Sequence, residues 1–405
     1  MSADPRRRSR TYALILYGIG ILVATGSFPV GLYHSYAEAF DFSAAMLTVV
    51  ACSSTIGVII AVVGCGNLSD QIGRRPVLIP AVGIGALCLV GMLVATNVWT
   101  LLVARSVTGL AIGLFTGAGT AALTELAPHG ETRKAATHAA TAGIIGFGSG
   151  PVVGGFFAEY LPYPLRLVYV VSLFLLIPAF WGALTMEETL KEKRPFELKL
   201  QRLEIPKDGR REFGLASLVC LCAFAAASFF QSLGPTIAVE LLDLQNLAIA
   251  GAIASCFLGT SSLAQMRYRG MPIRRQTVTG LLILPVGLVL ITLGLVVENP
   301  ALFIGGALVG GFGQGLAYVG GQSLVELVTP PERRGEAFST YLVVVYIAGS
   351  GCAISLGIAA TEFGLHPASV VYTVIACVVT LITALVASRM AIRPAAAPPA
   401  VPVVT

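Results

Sequence analysis

Apolar segments of about twenty residues recur along this 405-residue chain, and their length constrains the fold more than any other feature of the sequence. As an α-helix with a rise of about 1.5 Å per residue, such a segment crosses the roughly 30 Å hydrocarbon core of a membrane. A barrel strand would alternate apolar and polar residues over about ten positions, whereas these segments are apolar on every face. Only 12% of the residues are charged and 56% are hydrophobic, which excludes a water-soluble globular domain.

Twelve segments qualify, so we predict an all-α polytopic membrane protein with twelve transmembrane helices. The predicted spans are Tyr12–Tyr33, Ala44–Leu68, Pro76–Ala95, Trp99–Leu126, Ala135–Glu159, Pro164–Met186, Phe213–Ala238, Leu247–Gln265, Thr277–Val297, Pro300–Val328, Ala337–Thr361 and Pro367–Met390. All eight cysteines lie within these spans and show no metal-ligand spacing. We therefore predict no disulfide, metal or cofactor.

Basic residues predict the orientation of the spans. Termini and loops on one side of the membrane hold every Lys and Arg except Arg105, inside the fourth span, and Arg166, near a loop on the other side. Short basic loops stay in the cytoplasm, so we predict a multi-pass cell-membrane protein with both termini cytoplasmic. Because this topology explains the net charge of +5, we infer no nucleic-acid partner.

A polar stretch at 187–212 divides the predicted helices into six before it and six after. A shift of 201 residues superposes Glu125 and Arg133 on Glu326 and Arg334, so the halves are related in sequence. Two halves of the same orientation predict a binding site between them. We divide the chain into a basic cytoplasmic N-terminus (1–11), an N-terminal half (12–186), a central cytoplasmic linker (187–212), a C-terminal half (213–390) and a disordered Pro/Ala-rich tail (391–405).

The loop after the second span carries the most specific motif, Gly66-Asn67-Leu68-Ser69-Asp70-Gln71-Ile72-Gly73-Arg74-Arg75-Pro76. It resembles the signature loop of the major facilitator superfamily, which implies a fold of two pseudo-symmetric six-helix halves. The resemblance also implies a cytoplasmic latch in the outward-facing state, with Asp70 meeting the start of the eleventh helix near Ala337. Its members would be Gly66, Asp70, Gly73, Arg74 and Arg75.

Two glutamates are expected to support this loop. Glu125 and Glu326 end the fourth and tenth predicted helices and correspond to each other in the sequence repeat. We expect them to pair with loop arginines such as Arg74 or Arg133, and we assign Glu125 to the latch.

Arg105 lies about two helical turns inside the fourth span, in the run Arg105-Ser-Val-Thr-Gly109-Leu-Ala-Ile-Gly113. A charge at that depth costs a few kcal/mol on insertion scales, so it should face a cavity or a partner rather than lipid. The run is similar to the helix-four motif of proton-coupled members of the superfamily, which implies coupling or the binding of an anionic substrate group. An arginine that only caps helix ends is the alternative.

The fifth span contains Gly146-Phe-Gly-Ser-Gly150-Pro151-Val-Val-Gly154-Gly155. Glycines at four-residue steps let another helix approach closely, and Pro151 removes a backbone hydrogen bond and favours a kink. The run resembles the signature of drug and metabolite antiporters, which implies a bend between the halves that disfavours leakage. Ordinary packing is the alternative for the glycines alone.

Polar side chains within the spans are candidates for coupling and substrate contact: Arg105, Tyr33, Gln231 and Tyr346. No acidic residue lies at mid-membrane, so we expect neutral, zwitterionic or anionic amphiphiles as substrates rather than cations. Candidate proton carriers lie only near the membrane surfaces: His34, Glu38, Asp41 and Glu159 on the outer side, and His138 on the inner side.

We therefore predict a monomeric secondary transporter that works by alternating access and exports small amphiphilic drugs or metabolites in exchange for protons. An uptake symporter or uniporter for a small polar solute, such as a sugar or an organic anion, would share the fold. An enzyme is disfavoured because four scattered histidines form no catalytic cluster. A channel would show a selectivity element, which the sequence lacks.

Overall fold

The computed structural model describes residues 5–127, 131–190, 209–330 and 333–390, and within these ranges its regular structure is helical. Twelve helices are long and apolar enough to cross a membrane. They are α1 (Arg6–Phe40), α2 (Ala44–Cys65), α3 (Arg75–Leu93), α4 (Val98–Leu126), α5 (Thr132–Tyr160), α6 (Pro164–Thr185), α7 (Arg210–Ser232), α8 (Leu247–Arg267), α9 (Ile273–Val296), α10 (Pro300–Val328), α11 (Gly335–Phe363) and α12 (Leu365–Arg389).

The helix count confirms the twelve predicted spans, but α1 is longer than predicted at both ends. Its helix begins in the basic segment 1–11 and passes through a 3-10 turn, Phe28–Leu32, before it resumes at Tyr33–Phe40. The turn contains Pro29, which lacks the N–H that a regular helix needs. In the second half, α7 ends at Ser232 and a separate short helix that contains Pro235 follows, Gly234–Glu240. A one-turn helix, Leu68–Ile72, links α2 to α3.

Each half packs mainly within itself, around a shared hydrophobic core. In the first half α4 packs against α2 and α3, while α1 packs against α5 and α6. In the second half α10 packs against α9, α8 and α7. We call the end of the bundle that holds Arg74, Arg133 and Arg267 the basic face, and the other end the opposite face. Most of the predicted central linker, 191–208, and the predicted disordered tail, 391–405, lie outside the described residues.

The halves meet along two helix pairs, α5 with α8 and α2 with α11. Several hydrogen bonds join the halves at mid-depth or toward the opposite face. Ala45 N–H donates to Thr361 Oγ1 (3.0 Å) and Leu247 N–H to Glu159 Oε2 (2.9 Å). Thr48 is fully buried at this seam, beside Gly357 of α11. The bundle is therefore closed on its opposite face.

Candidate transport pathway

Arg105 is buried in the first half, with only 4% of its surface exposed. Its guanidinium donates hydrogen bonds to the carbonyl of Gly26, to Tyr33 Oη (2.9 Å) and to Ser54 Oγ (3.4 Å). The guanidinium carbon also lies 5.9 Å from the centre of the Tyr33 ring, within cation–π range. Its Nε has no partner among the described residues. Arg105 thus joins α4 to α1 and α2, and none of these contacts is a carboxylate.

The carbonyl of Gly26 is open to Arg105 because of the break in α1. A 3-10 turn bonds each N–H to the carbonyl three residues earlier, and the residue three positions after Gly26 is Pro29, which has no N–H. A buried carbonyl without a donor costs about 1–3 kcal/mol, so a donor from another helix stabilises the break. Arg105 supplies that donor.

Tyr33, a predicted substrate contact, is fully buried, and its hydroxyl accepts a hydrogen bond from Arg105. One turn further, Tyr36 Oη donates to Tyr169 Oη of α6 at 2.8 Å, and both of these side chains are also buried. These tyrosines therefore tie α1 to α4 and α6 in the closed state. They present no surface to a ligand in this conformation.

The other predicted contacts, Gln231 and Tyr346, lie in the second half. From Val219 to Ala238, four residues alone are not buried: Leu221, Phe224, Ser228 and Gln231. Their spacing of three and four places them on one face of α7. The rest of this stretch is buried, so these four side chains form its accessible face. Gln231 makes no hydrogen bond to a described residue.

An aromatic cluster flanks the stripe, and sequence analysis missed two of its members. The Phe224 ring lies 5.6 Å from that of Tyr318 on α10 and 5.5 Å from that of Tyr346 on α11, measured between centroids. Gln322 Nε2 donates to Tyr318 Oη at 2.8 Å. The three-residue and four-residue steps between Phe224, Ser228 and Gln231 were the available signal.

The glycines of α5 face two different helices. A methyl group at Gly146, Gly150 or Gly154 would meet Gly20, Ser27 or Phe28 of α1. A methyl group at Gly155 would instead meet the backbone of Leu247, at the start of α8. α5 thus packs by direct backbone contact against its own half on one side and against the other half on the second side.

The backbone groups released around Pro151 are bonded to side chains of two other helices. Pro151 cannot donate to the carbonyl four residues earlier, Phe147, and that carbonyl accepts from Ser27 Oγ of α1 (2.9 Å). The next N–H, that of Val152, donates to Ser255 Oγ of α8 (3.1 Å). Ser27 and Ser255 were not predicted, because nothing in either residue's local sequence marks it as a partner of α5.

The motif loop is held by a charged network at the basic face. Arg74 is 7% exposed and donates to Glu125 (Nη2 to Oε1, 2.8 Å), to Ser69 Oγ (2.8 Å) and to Asp70. Burial lowers the pKa of Arg74, but its hydrogen bonds to Glu125 and Asp70 outweigh burial and leave the pKa raised. Arg74 is therefore charged at every physiological pH. The structure brings Glu125 to Arg74, as predicted, whereas Glu326 makes no ion pair with a described residue.

Glu188, at the start of the linker, binds the backbone of the motif loop. Sequence analysis did not single it out. Its carboxylate accepts from the backbone N–H groups of Arg74 (2.9 Å) and Arg75 (3.2 Å), at the positive end of α3. Gly73 has φ +111°, and a methyl group there would collide with the Glu188 carboxylate. Gly73 is thus required both by its backbone conformation and by this contact.

The remaining latch residues are exposed in this conformation. Asp70 has a side chain 59% exposed and contacts Arg74 of its own loop. Gly66 and Arg75 are also exposed. The contact between Asp70 and α11, which the family resemblance implies for the outward-facing state, stays a prediction for that state.

The candidate proton carriers lie near the two faces. His34 Nε2 is 3.4 Å from Glu38 Oε1, and its Nδ1 is 3.8 Å from Glu240 Oε1 of the second half. His138 Nδ1 lies 2.9 Å from Tyr12 Oη, near the basic face. Asp41 and Glu159 are exposed at the opposite face.

The twelve spanning helices form two halves, and the halves meet along two helix pairs. This architecture is that of a polytopic membrane transporter. A family model described as Major Facilitator Superfamily matches residues 13–350. The chain belongs to this superfamily and is a multi-pass membrane transporter of small molecules. Its family and fold are those of transporters and not of enzymes.

Several curated relatives are drug-resistance proteins of low identity. The chloramphenicol resistance protein CraA of Acinetobacter baumannii is 25% identical over 263 residues, which cover 62% of each chain. The multi-drug resistance efflux pump PmrA of Streptococcus pneumoniae is 24% identical over 77% of this chain and 78% of its own. The multidrug resistance protein MdtG of Escherichia coli is 32% identical, over 29% of this chain and 28% of its own.

Solved structures share the fold at low sequence identity. A bacterial homologue of the human lysosomal transporter Spinster, in its inward-facing and unoccupied conformation, superposes with a TM-score of 0.75 at 14% identity and covers 96% of this chain and 98% of its own. The human organic anion transporter MFSD10 superposes with a TM-score of 0.68 at 16% identity, over 94% of this chain and 99% of its own.

Proposed function

We propose that this transporter exports small amphiphilic drugs or metabolites across the cell membrane in exchange for protons. It works as a monomer by alternating access, with its basic face and both termini in the cytoplasm. The positive-inside distribution of Lys and Arg supports this orientation. The closed opposite face then corresponds to a carrier shut toward the outside.

The observation that carries export is the bonding around Pro151 in α5. The motif around Pro151 resembles that of drug and metabolite antiporters, and its released carbonyl and N–H bond to α1 and α8, at the seam between the halves. A bend held from both sides can keep the halves sealed while they rotate. CraA, PmrA and MdtG are drug-resistance proteins and PmrA is an efflux pump, which supports the same direction of transport.

The substrate class follows from the lining of α7. Phe224, Tyr318 and Tyr346 offer aromatic faces, and Gln231 offers an amide without a described partner. The Asp and Glu residues of the described spans lie at helix ends rather than at mid-depth. A neutral, zwitterionic or anionic amphiphile fits this surface, because a buried cation would need a carboxylate. Proton exchange is supported only by the resemblance of the Arg105 motif to those of proton-coupled carriers.

The test is the accumulation of a panel of labelled or fluorescent compounds in cells that express the wild type, Arg105→Ala, Asp70→Asn or Phe224→Ala, with and without an uncoupler. Arg166→Ala, an exposed arginine at the start of α6, is the matched control. We expect the wild type and the control to lower accumulation of at least one compound. The uncoupler and Arg105→Ala should abolish this effect at equal protein level.

An uptake carrier for a small polar solute, such as an organic anion, is the second candidate. It is favoured by the Arg105 charge, which no carboxylate balances among its contacts. Raised accumulation by the wild type in the same assay would select uptake and overturn export. Export that the uncoupler does not change would keep the export proposal but remove proton exchange.

A further inference from the structure

Two side chains fasten α8 to α5 across the seam, at different depths. Near the opposite face, Glu159 Oε2 accepts from the N–H of Leu247, at the N-terminus of α8 (2.9 Å). About two turns deeper, Ser255 Oγ accepts from the N–H of Val152 (3.1 Å). Both bonds cross from the first half to the second.

The contact at Glu159 is charge-assisted. A carboxylate at the start of a helix faces the positive end of the helix dipole, and it also satisfies a backbone donor that the helix itself leaves open. The neighbouring Tyr160 accepts through its Oη from Asn246 Nδ2 (2.8 Å), and Asn246 in turn caps α8 by accepting from Ile249 N–H (3.0 Å). The end of α5 thus completes the N-terminal cap of a helix in the other half.

The contact at Ser255 has a different character, because its donor lies inside α5 and not at a helix end. In a regular helix the N–H of Val152 bonds to the carbonyl of Gly148, four residues earlier. When the halves separate, the helix itself can therefore satisfy this N–H, so the Ser255 bond can break without leaving a donor unpaired. The pair combines a strong contact at the rim with a readily exchanged one beside Pro151.

We propose that Glu159 and Ser255 are positioning residues that set how readily the transporter opens at its opposite face. Both bonds exist only while α5 and α8 are close, so they stabilise the closed state selectively. Weakening either bond shifts the population toward the open state. The direction of transport and the coupling ion play no part in this inference.

Hydrogen–deuterium exchange of the purified full-length protein tests the proposal without a substrate or a label. The variants are Glu159→Ala and Ser255→Ala, and the matched control is Glu298→Ala, a glutamate between α9 and α10. The informative peptides cover 44–52 of α2 and 355–363 of α11, which form the second seam and do not touch Glu159 or Ser255. We expect the exchange rate of these peptides to rise at least threefold in both variants and to stay unchanged in the control.

A rise confined to peptides at the start of α8 would overturn the proposal, because it would show local fraying of one helix end. Unchanged exchange everywhere would overturn it too. Thiol labelling supplies a second measurement, with Thr48→Cys in a chain whose eight cysteines are replaced. Thr48 is fully buried in the second seam, so labelling from outside intact cells reports opening there. Glu159→Ala should speed this labelling at least threefold, and Glu159→Gln should have a smaller effect. If the transport assay finds no export, both measurements still decide this proposal.

Discussion

At the scale of single residues, Gly73 is fixed by two independent constraints. Its φ of +111° disfavours any residue with a Cβ, and the Glu188 carboxylate fills the space where that Cβ would lie. We expect Gly73→Ala to lower the free energy of unfolding by about 1–3 kcal/mol. Thermal unfolding in detergent measures this, with Gly64→Ala as the control, because a methyl group there meets open space. Equal stabilities of the two variants would contradict the assignment.

We expect that a lysine cannot replace Arg105 without loss of stability. A lysine has one compact ammonium group and cannot reach Gly26, Tyr33 and Ser54 together. We expect Arg105→Lys to lower the free energy of unfolding by about 1–3 kcal/mol, since at least one buried acceptor is left unpaired. Arg166→Lys, at an exposed position, should change it little. A stable Arg105→Lys protein would show that the break in α1 does not depend on this side chain.

At the scale of helices, the bond from Ser27 to α5 exists because Pro151 leaves a carbonyl free. In the wild type, Ser27→Ala should cost about 1–3 kcal/mol, because the carbonyl of Phe147 loses its donor. In a Pro151→Ala background, the introduced alanine supplies its own N–H, and the cost of Ser27→Ala should fall by at least half. A double-mutant cycle on the free energy of unfolding measures the difference. Additive effects would disprove the link between the two residues.

At the scale of the whole molecule, the described residues of the two halves differ in how they use a repeated glutamate. Glu125 bonds to the buried Arg74, whereas its repeat counterpart Glu326 makes no hydrogen bond or ion pair with a described residue. We expect Glu125→Gln to lower the free energy of unfolding by about 1.5–3 kcal/mol, the value of a hydrogen bond to a charged group. Glu326→Gln should be neutral. Thermal unfolding measures both variants. Equal losses in the free energy of unfolding would mean that both glutamates make a stabilising charged contact.

The fold was predictable because its signals are local and periodic. Span length and loop charge depend on residues that are close in the sequence, and the repeat needs only a comparison of the chain with itself. The structure confirms twelve helices. The partners of the motifs were not predictable in the same way. Pro151 predicts a carbonyl without its usual helical donor. Only the packing of α1 and α8 shows that Ser27 and Ser255 bond to the backbone beside Pro151. Glu188 reaches the motif loop across more than a hundred residues of chain.

The carbonyl of Pro151 lies in a slot between Gly31 of α1 and Gly251 of α8, where a methyl group at either glycine would collide with it. Every substitution of a glycine adds at least one carbon, so no other residue fits at Gly31 or Gly251 without displacing the Pro151 carbonyl. Selection for new substrates would therefore find no accessible path through the seam. It would act instead on the stripe of α7, where Phe224 and Gln231 are only partly buried.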